Sequence, residues 1–344
     1  MSSASSVGRG RSQVPEEREG RPILVTGGAG FIGSHLVKAL LTSGHSVRVL
    51  DDFSTGNTAN LSGVEALAAA HNVRFQLLHG DVRDDFRVRD AVSSCRAVAH
   101  LAAVASVARS VEDPVGANSV THGGTVNVVR RAVEAEVPRV VLASSCAVYG
   151  DPQSLPVAET AALCPMSPYA QAKLAAEEVC SSAAHAGQAT AVALRFFNVY
   201  GPRQDPSSEY SGVISRFMHA ASHGDGVTIY GDGLQTRDFV YVDDVVEAVL
   251  RALFRPLTGY SLMNVGSGVE SSLLDLLSRI QELCGRTVAR DRRPAREGDI
   301  RHSRADAGRA AWVLGWRPHS SLADGLAATW SWHTTAANQP PAGA

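Results

Sequence analysis

Residues 22–44 read PILVTGGAGFIGSHLVKALLTSG, and this stretch decides the fold class. The apolar run 22–26 predicts a first strand, and the segment near 34–43 predicts a helix. Four glycines lie between them, and three of these are spaced three apart: Gly27, Gly30 and Gly33. The first allows a tight turn, the second lets backbone N–H groups approach a pyrophosphate, and the third lets the helix pack closely on the sheet. Because the helix dipole also favours phosphate at this end, the stretch predicts a dinucleotide-binding turn rather than an ordinary one.

Apolar runs farther along the chain predict five more strands, and helical patterns alternate with them. The predicted strands are 46–50, 73–79, 97–101, 139–144 and 191–196. The predicted helices lie near 86–93, 114–135 and 169–186. This alternation is typical of a parallel sheet wrapped by helices. The sequence therefore predicts an α/β fold, a Rossmann-type doubly wound parallel sheet with a smaller α/β substrate-binding domain.

The domain boundaries follow from where this alternation loosens. A dinucleotide-binding Rossmann domain is expected over 22–195 and again over 236–260. The substrate-binding domain is expected over 196–235 and 261–333, where long loops and short strands prevail. Two polar ends, 1–21 and 334–344, are expected to be disordered tails.

Composition excludes several other classes of protein. The 344 residues are 44% hydrophobic and carry a formal net charge of −2, so neither nucleic acid nor a membrane surface is expected as a partner. No apolar run approaches the length of a membrane span, and the first 21 residues lack the apolar core of a signal peptide. The five cysteines are scattered without a CxxC pair, and the histidines lack ligand spacing. We therefore expect no metal and a cytoplasmic location.

Acidic residues at two strand ends indicate which dinucleotide binds. Asp51 ends the second predicted strand, 18 residues after Gly33, where a carboxylate accepts from the adenosine ribose hydroxyls. A 2′-phosphate beside Asp51 and Asp52 would be repelled, which favours NAD over NADP. Asp52 could instead be a solvated loop acid. Asp81, at the end of the third predicted strand, is placed to accept from the adenine amino group, with a helix N-cap as the alternative.

A tyrosine and a lysine four residues apart predict an acid–base site. Tyr169 and Lys173 share one face of a predicted helix. A phenol is a weak base with an ordinary pKa of about 10, but a neighbouring ammonium stabilises the phenolate and lowers that pKa. Ser144 and Ser145 end the fifth predicted strand, and Ser145 precedes Tyr169 by 24 residues. Since ligands bind at the carboxyl ends of parallel strands, we expect Ser145, Tyr169 and Lys173 to form one catalytic site.

These motifs together carry a family resemblance over about residues 22–333. They are TGGAGFIG (26–33), LDDFSTG (50–56), GDV (80–82), HLAA (100–103), SSCAVYG (144–150), YAQAK (169–173) and RFFNVYGP (195–202). The chain resembles an extended short-chain dehydrogenase/reductase of the NAD-dependent nucleotide-sugar epimerase/dehydratase family. The resemblance is strongest to the UDP-hexose 4-epimerases.

The resemblance implies a reaction at C4 of a UDP-sugar. Tyr169 would take the proton of the 4-hydroxyl while Ser145 relays it or donates a hydrogen bond. Tightly held NAD would oxidise C4 to a transient 4-keto sugar, which turns over in the pocket and is reduced on its other face. Lys173 would also hold the nicotinamide ribose. An NAD(P)-dependent nucleotide-sugar dehydrogenase or reductase on the same scaffold is the alternative, and it would consume cofactor.

The resemblance also assigns contacts residue by residue. Those to the cofactor are Gly27, Gly30, Phe31, Ile32, Gly33, Asp51, Asp52, Ser54, Thr55, Gly56, Asp81, Val82, Leu101, Ala102, Ala103, Thr121, Tyr169, Lys173 and Phe196. Those to the substrate are Ser106, Ser145, Tyr169, Asn198, Val213, Thr228, Tyr230, Arg237, Arg296, Asp299 and Ser303. Thr121 stands where the family usually has an asparagine.

Five of the substrate residues have stated roles. Asn198, Arg237 and Arg296 would contact the diphosphate, and Asp299 would accept from the uridine ribose. Tyr230 would stack on uracil. Core packing is the alternative for Tyr230, and a solvated basic loop is the alternative for Arg296.

Departures from the family pattern narrow the reaction and the sugar. Cys146 and Ala147 follow Ser145 where dehydratases carry acids, so elimination of water is not expected. Cys146 is expected to be a packed residue rather than a nucleophile. Ser303 and Ala105 replace larger residues of strict glucose/galactose enzymes, which fits UDP-N-acetylglucosamine and leaves UDP-glucuronate open. The resemblance further implies a homodimer that pairs the helices near 114–135 and 169–186.

Overall fold

The strand that precedes the glycine turn lies inside a seven-stranded parallel sheet, third from one edge. The structure is a computed structural model that describes residues 20–205, 212–295 and 300–337. The strands are β1 (Ile23–Thr26), β2 (Val47–Asp51), β3 (Phe75–His79), β4 (Ala97–His100), β5 (Arg139–Ser145), β6 (Thr190–Phe196), β7 (Asn198–Tyr200), β8 (Val227–Tyr230), β9 (Thr236–Tyr241), β10 (Tyr260–Val265), β11 (Glu270–Ser272) and β12 (Arg290–Arg293).

Helices connect these strands. They are α1 (Phe31–Thr42), α2 (Val64–Ala70), α3 (Asp85–Val92), α4 (Val107–Glu112), α5 (Pro114–Asn118), α6 (Gly124–Glu134), α7 (Pro168–His185), α8 (Val213–His223), α9 (Val242–Phe254), α10 (Leu273–Cys284), α11 (Gly308–Leu314) and α12 (Leu322–Ala337). None of the helices in the described part of the chain is both long and apolar enough to cross a membrane.

The large sheet has the order β3-β2-β1-β4-β5-β6-β10, and every neighbouring pair is parallel. The order reverses beside β1, since the chain moves outward through β2 and β3 and returns to β4 on the other side. Such a reversal leaves a crevice at the carboxyl ends of the strands, where ligands bind. The Rossmann-type α/β fold class predicted from the sequence is confirmed.

One strand of this sheet lies beyond the boundary expected at residue 260. β10 pairs with β6 from Tyr260↔Ala191 to Val265↔Phe196. β10 joins the β6 edge of the sheet only after the chain has left the sheet and returned through α9. The alternation of strands and helices along the sequence therefore does not reveal it. The sheet therefore extends to Val265, whereas the division of the chain into two domains stays a prediction.

The predicted long helix 114–135 is three joined pieces. A π-helical turn, Ser119–Gly123, lies between α5 and α6. Helices α2 and α4 were not predicted, because 7 and 6 residues are too few to show a helical pattern of apolar residues. Gly63 precedes α2 with φ +76°, and the Ser106 side chain caps α4 by accepting from the Arg109 amide.

The two faces of the large sheet bury separate apolar clusters. In β1, Ile23 and Val25 join the cluster on the α1 and α9 face, whereas Leu24 joins the cluster on the α3, α6 and α7 face. This alternation follows from the two-residue period of a strand. Burial on both faces therefore holds the glycine turn, which follows β1 directly, at a rigid edge.

A third apolar cluster lies among the later elements, and it includes Phe217, Met218, Ile229 and Leu276. The small sheets β11-β9-β7 and β12-β8 belong to this part of the chain. Helix α12 runs to Ala337, so the tail predicted from residue 334 begins too early. Burial of Leu326 and Thr329 attaches this helix to the protein. Residues 1–19 and 338–344 of the predicted tails lie outside the described residues.

Candidate active site

The turn between β1 and α1 is shaped by contacts that only glycine permits. Gly27 has φ +69°, and a Cβ there would lie 2.9 Å from the Ala102 amide nitrogen. At Gly33 a Cβ would lie 2.0 Å from the Gly27 carbonyl oxygen. The helix N-cap is Gly30, and no side chain caps it. The amides at the start of α1 thus form an open cradle, which fits the pyrophosphate of a dinucleotide.

Asp51 connects this cradle to the loop after β2. Its carboxylate accepts from the Ala29 amide at 2.8 Å and from the Phe53 amide at 2.9 Å. A Cβ on Gly56 would lie 2.8 Å from the same carboxylate. Burial raises the pKa of Asp51, and the two amide bonds oppose the rise. Asp51 therefore positions both loops at the place where the sequence predicts ribose binding, while Asp52 accepts from the Ser54 amide and hydroxyl.

The carboxylate of Asp81 is held by a neighbouring guanidinium. Arg83 donates to both Asp81 oxygens, with Nε distances of 3.0 and 2.9 Å. This hydrogen bonding holds the pKa of Asp81 below its ordinary value. The N-cap alternative for Asp81 is wrong, because Asp84 caps α3.

A buried polar chain that the sequence analysis did not identify lies beneath the glycine turn. The His100 ring joins the hydroxyl of Thr26, at 2.7 Å, to that of Thr125, at 3.0 Å. Burial lowers the pKa of His100 to about 3, and the charge of Lys173 contributes to this lowering, so the ring is neutral. Thr121 lies in the π-helical turn and accepts from the Val104 amide at 3.2 Å. The HLAA motif, which begins with His100, is the feature of the sequence that could have indicated this chain of hydrogen bonds.

The expected catalytic side chains come together at the carboxyl end of β5. Ser145 ends β5, where Phe196 of β6 is its register partner. The Tyr169 phenol is hydrogen-bonded to Ser145. The buried Lys173 donates from Nζ to the Ala143 carbonyl oxygen at 2.7 Å. A hydroxyl, a phenol and an ammonium thus lie together at the carboxyl end of β5, and these are groups suited to moving a hydroxyl proton.

The pKa of Tyr169 departs from the sequence expectation. Burial raises it to about 12, although the hydrogen bond with Ser145 opposes the rise. Lys173 lies with Nζ 5.9 Å from the centroid of the ring, and its ammonium is engaged by Ala143. The pKa is thus raised rather than lowered, because loss of solvation outweighs the hydrogen bond with Ser145. The lowering expected from Lys173 together with the nicotinamide ring stays a prediction.

Cys146 has no reactive character in this site. Burial raises the pKa of its thiol to about 12, so the thiol stays protonated. The charge of Arg237 acts on this thiol. Arg237 stands on β9, within electrostatic reach of Cys146, the residue that follows β5.

The other expected substrate residues lie on several elements. Asn198 on β7 is the register partner of Phe239, Val213 begins α8, and Thr228 and Tyr230 share one face of β8. Tyr230 is half-buried and Ser303 is buried. Ser106 caps α4. Arg296 and Asp299 lie outside the described residues. Within the described ranges, no group of three or more His, Cys, Asp or Glu side chains could hold a metal ion.

Comparisons with known proteins identify the family of this chain. The model of the NAD dependent epimerase/dehydratase family matches residues 23–266. A UDP-glucose 4-epimerase of Mycolicibacterium smegmatis is 42% identical over 308 residues, which cover 89% of this chain and 96% of that protein.

Two solved structures are similar throughout. One is the UDP-N-acetylglucosamine 4-epimerase of Methanobrevibacter ruminantium in complex with UDP-N-acetylmuramic acid, with 31% identity, a TM-score of 0.86, and coverage of 92% of this chain and 99% of that chain. The other is the UDP-glucose 4-epimerase of Thermus thermophilus in complex with NAD, with 36% identity, a TM-score of 0.82, and coverage of 92% and 99%.

Proposed function

The chain belongs to the NAD-dependent epimerase/dehydratase family, and from this premise we propose that it inverts C4 of a UDP-sugar. It is a nucleotide-sugar 4-epimerase, and its cofactor is NAD. The observation that carries the proposal is the meeting of Ser145, Tyr169 and Lys173 at the end of β5.

The residues present fit NAD. The open cradle at the start of α1 would hold the pyrophosphate, and Asp51 would accept from the adenosine ribose. Lys173 would hold the nicotinamide ribose. Bound NAD supplies reversible oxidation at C4, which passes through a 4-keto sugar.

The protein side chains supply positioning and proton transfer. Tyr169, as the phenolate, takes the proton from the 4-hydroxyl and later returns it, and Ser145 holds that oxygen by a hydrogen bond. The Lys173 ammonium stabilises the negative charge that develops on the phenol. Arg237 and Asn198 hold the diphosphate, so the sugar ring can turn over while the nucleotide stays bound.

We assign the sugar pocket a broad specificity that includes UDP-glucose and UDP-N-acetylglucosamine. Ser303 is small where a bulky residue would close the C2 side of the sugar. It is buried, and the residue before it, His302, is hydrogen-bonded to Thr236 of β9. A serine at this position supports room for an N-acetyl group.

Ser303→Tyr tests the specificity. The larger side chain is expected to reduce kcat/KM for UDP-N-acetylglucosamine at least tenfold, while kcat/KM for UDP-glucose changes less. Epimerisation of each substrate, followed by NMR, measures the two values of kcat/KM. Equal losses on both substrates would contradict this role of Ser303.

We also propose a homodimer through the α5–α6 face. Val115 is 79% exposed and Val126 is 39% exposed on these helices. A second copy that covers these valines would remove apolar surface from water. The mass in solution tests this, since a dimer is expected and a strict monomer at micromolar concentration would contradict it.

A further inference from the structure

Helix α7 presents a row of three polar side chains to the end of β5, at intervals of one helical turn. They are Tyr169, Lys173 and Glu177. The Tyr169 phenol is hydrogen-bonded to Ser145, and the Lys173 ammonium donates to the Ala143 carbonyl. Ser144 lies between Ala143 and Ser145 in β5, and its hydroxyl donates to the Glu177 carboxylate. Three successive residues of one strand are thus each held by one member of the row.

The Glu177 carboxylate is buried and fully engaged. Arg195 donates to it twice, from Nε at 2.9 Å and from Nη2 at 2.7 Å. The Arg195 and Glu177 side chains are only 2% and 5% exposed. A buried carboxylate is tolerated only with such partners, so Glu177 has little freedom to move.

Glu177 also joins three elements. Arg195 stands on β6, and its register partner on β5 is Ser144. The carboxylate therefore fixes β5, β6 and α7 to one another, one residue before Ser145. A shift of this carboxylate would move the hydroxyl of Ser145 relative to Tyr169.

The same carboxylate acts on the charge of Lys173. Burial lowers the pKa of Lys173 to about 8, and the charge of Glu177 opposes this. The titratable groups that face Lys173 are Tyr169 and Glu177 on its own helix and His100 on β4. His100 is neutral, so Glu177 is the negative charge that favours the ammonium.

We propose that Glu177 is a positioning residue of the epimerase reaction, which holds Ser145 in register with Tyr169 through Ser144 and keeps Lys173 charged. The inference rests on the proposed function, because that function gives Tyr169 and Lys173 their roles. Glu177 acts through these neighbours and touches neither substrate nor cofactor itself.

The first test is the pH profile of kcat for Glu177→Gln. In the wild type, kcat is expected to fall as pH rises through about 8, where Lys173 loses its proton. Removing the negative charge is expected to move this fall to lower pH by roughly one unit. Glu177→Asp keeps the charge and is expected to restore the wild-type position. Thermal unfolding of each variant reports whether it is folded.

The second test leaves the buried ion pair intact. Ser144→Ala removes only the hydrogen bond from β5 to Glu177, and we expect kcat to fall roughly tenfold with KM changed less than twofold. The matched control is Thr329→Val, which removes a buried hydroxyl of α12 that donates to the Gly325 carbonyl. This control is expected to keep the wild-type kcat.

The outcomes separate the inference from the function on which it rests. All variants are assayed on the UDP-sugar that the wild type converts fastest. A wild type without epimerase activity overturns the proposed function and the inference together. If the wild type is active and Ser144→Ala has the same kcat, the inference alone is overturned. It is also overturned alone if Glu177→Gln is folded and its kcat falls at the same alkaline pH as that of the wild type. If Glu177→Gln does not fold, Ser144→Ala decides.

Discussion

At the residue scale, the proposed chemistry depends on a phenol that burial keeps protonated. The pKa of Tyr169 is raised to about 12, so the phenolate is unfavourable unless a neighbouring positive charge stabilises it. Lys173 is the cation next to it, with a pKa of about 8. The site is thus arranged so that proton transfer depends on the charge state of a neighbouring side chain.

Tyr169→Phe removes the acid–base group and leaves the ring. Positioned acid–base groups contribute roughly a hundredfold to ten-thousandfold, so we expect kcat to fall within that range. NAD content, measured after denaturation, and the unfolding temperature are expected to stay near wild type. A variant that retains more than a tenth of the wild-type kcat would show that another group moves the proton.

Asp51→Asn tests the residue that joins the two loops of the nucleotide cradle. The amide group can accept at one atom only, so one of the amides of Ala29 and Phe53 would lose its partner. This is expected to cost about 1–3 kcal/mol of unfolding free energy and to lower the NAD content. Denaturant unfolding measures the first effect. Asp52→Asn is the control, and an equal loss there would contradict the special role of Asp51.

Local sequence reveals some of these residues and not others. Asp51 and Ser145 could be predicted because each ends a strand beside a turn. Glu177 could not, because its partner Arg195 stands 18 positions later and meets it only through the pairing of β5 with β6. Raised pKa values escape sequence analysis for the same reason, since burial is set by the whole fold.

At the element scale, α1 reaches its place only because its first turn lacks a side chain. Gly33→Ala would bring a Cβ to 2.0 Å from the Gly27 carbonyl, so the helix must move away from β1. We expect a loss of about 1–3 kcal/mol of stability and loss of bound NAD. Thermal unfolding and NAD content are the measurements.

Gly123→Ala is the matched control for that change. Gly123 has helical φ and ψ of −60° and −42°, and a Cβ at this position would have open space for 4 Å around it. Alanine there is expected to stabilise the protein by about 0.5–1 kcal/mol. Equal destabilisation by the two alanines would contradict the steric account of the glycine turn.

Apolar strands bounded by turn residues were predicted well, and elements set by tertiary pairing were not. The strands β1, β5 and β6 lie within one or two residues of the predicted bounds, because apolar runs between turn residues mark them. The strand β10 depends on its main-chain bonds to β6, and the π-helical turn 119–123 has no distinct sequence pattern.

At the scale of the whole molecule, the site lies where the strand order reverses. The cofactor cradle follows β1, the acid–base residues meet at the end of β5, and Arg237 and Asn198 come from strands of a different small sheet. The rigid large sheet holds the reacting groups. The later part of the chain contributes the residues that would hold the nucleotide, and this supports the proposal that the sugar turns over without release of the nucleotide.

The most direct measurement is turnover without added cofactor. The purified protein would be incubated separately with UDP-glucose, UDP-N-acetylglucosamine and UDP-glucuronate, and the products resolved by NMR. We expect a C4 epimer from at least one of them, with no net reduction of NAD, because the retained cofactor is regenerated in each cycle. No epimer from any of the three, together with steady formation of NADH once NAD is supplied, would contradict C4 epimerisation and indicate a nucleotide-sugar dehydrogenase.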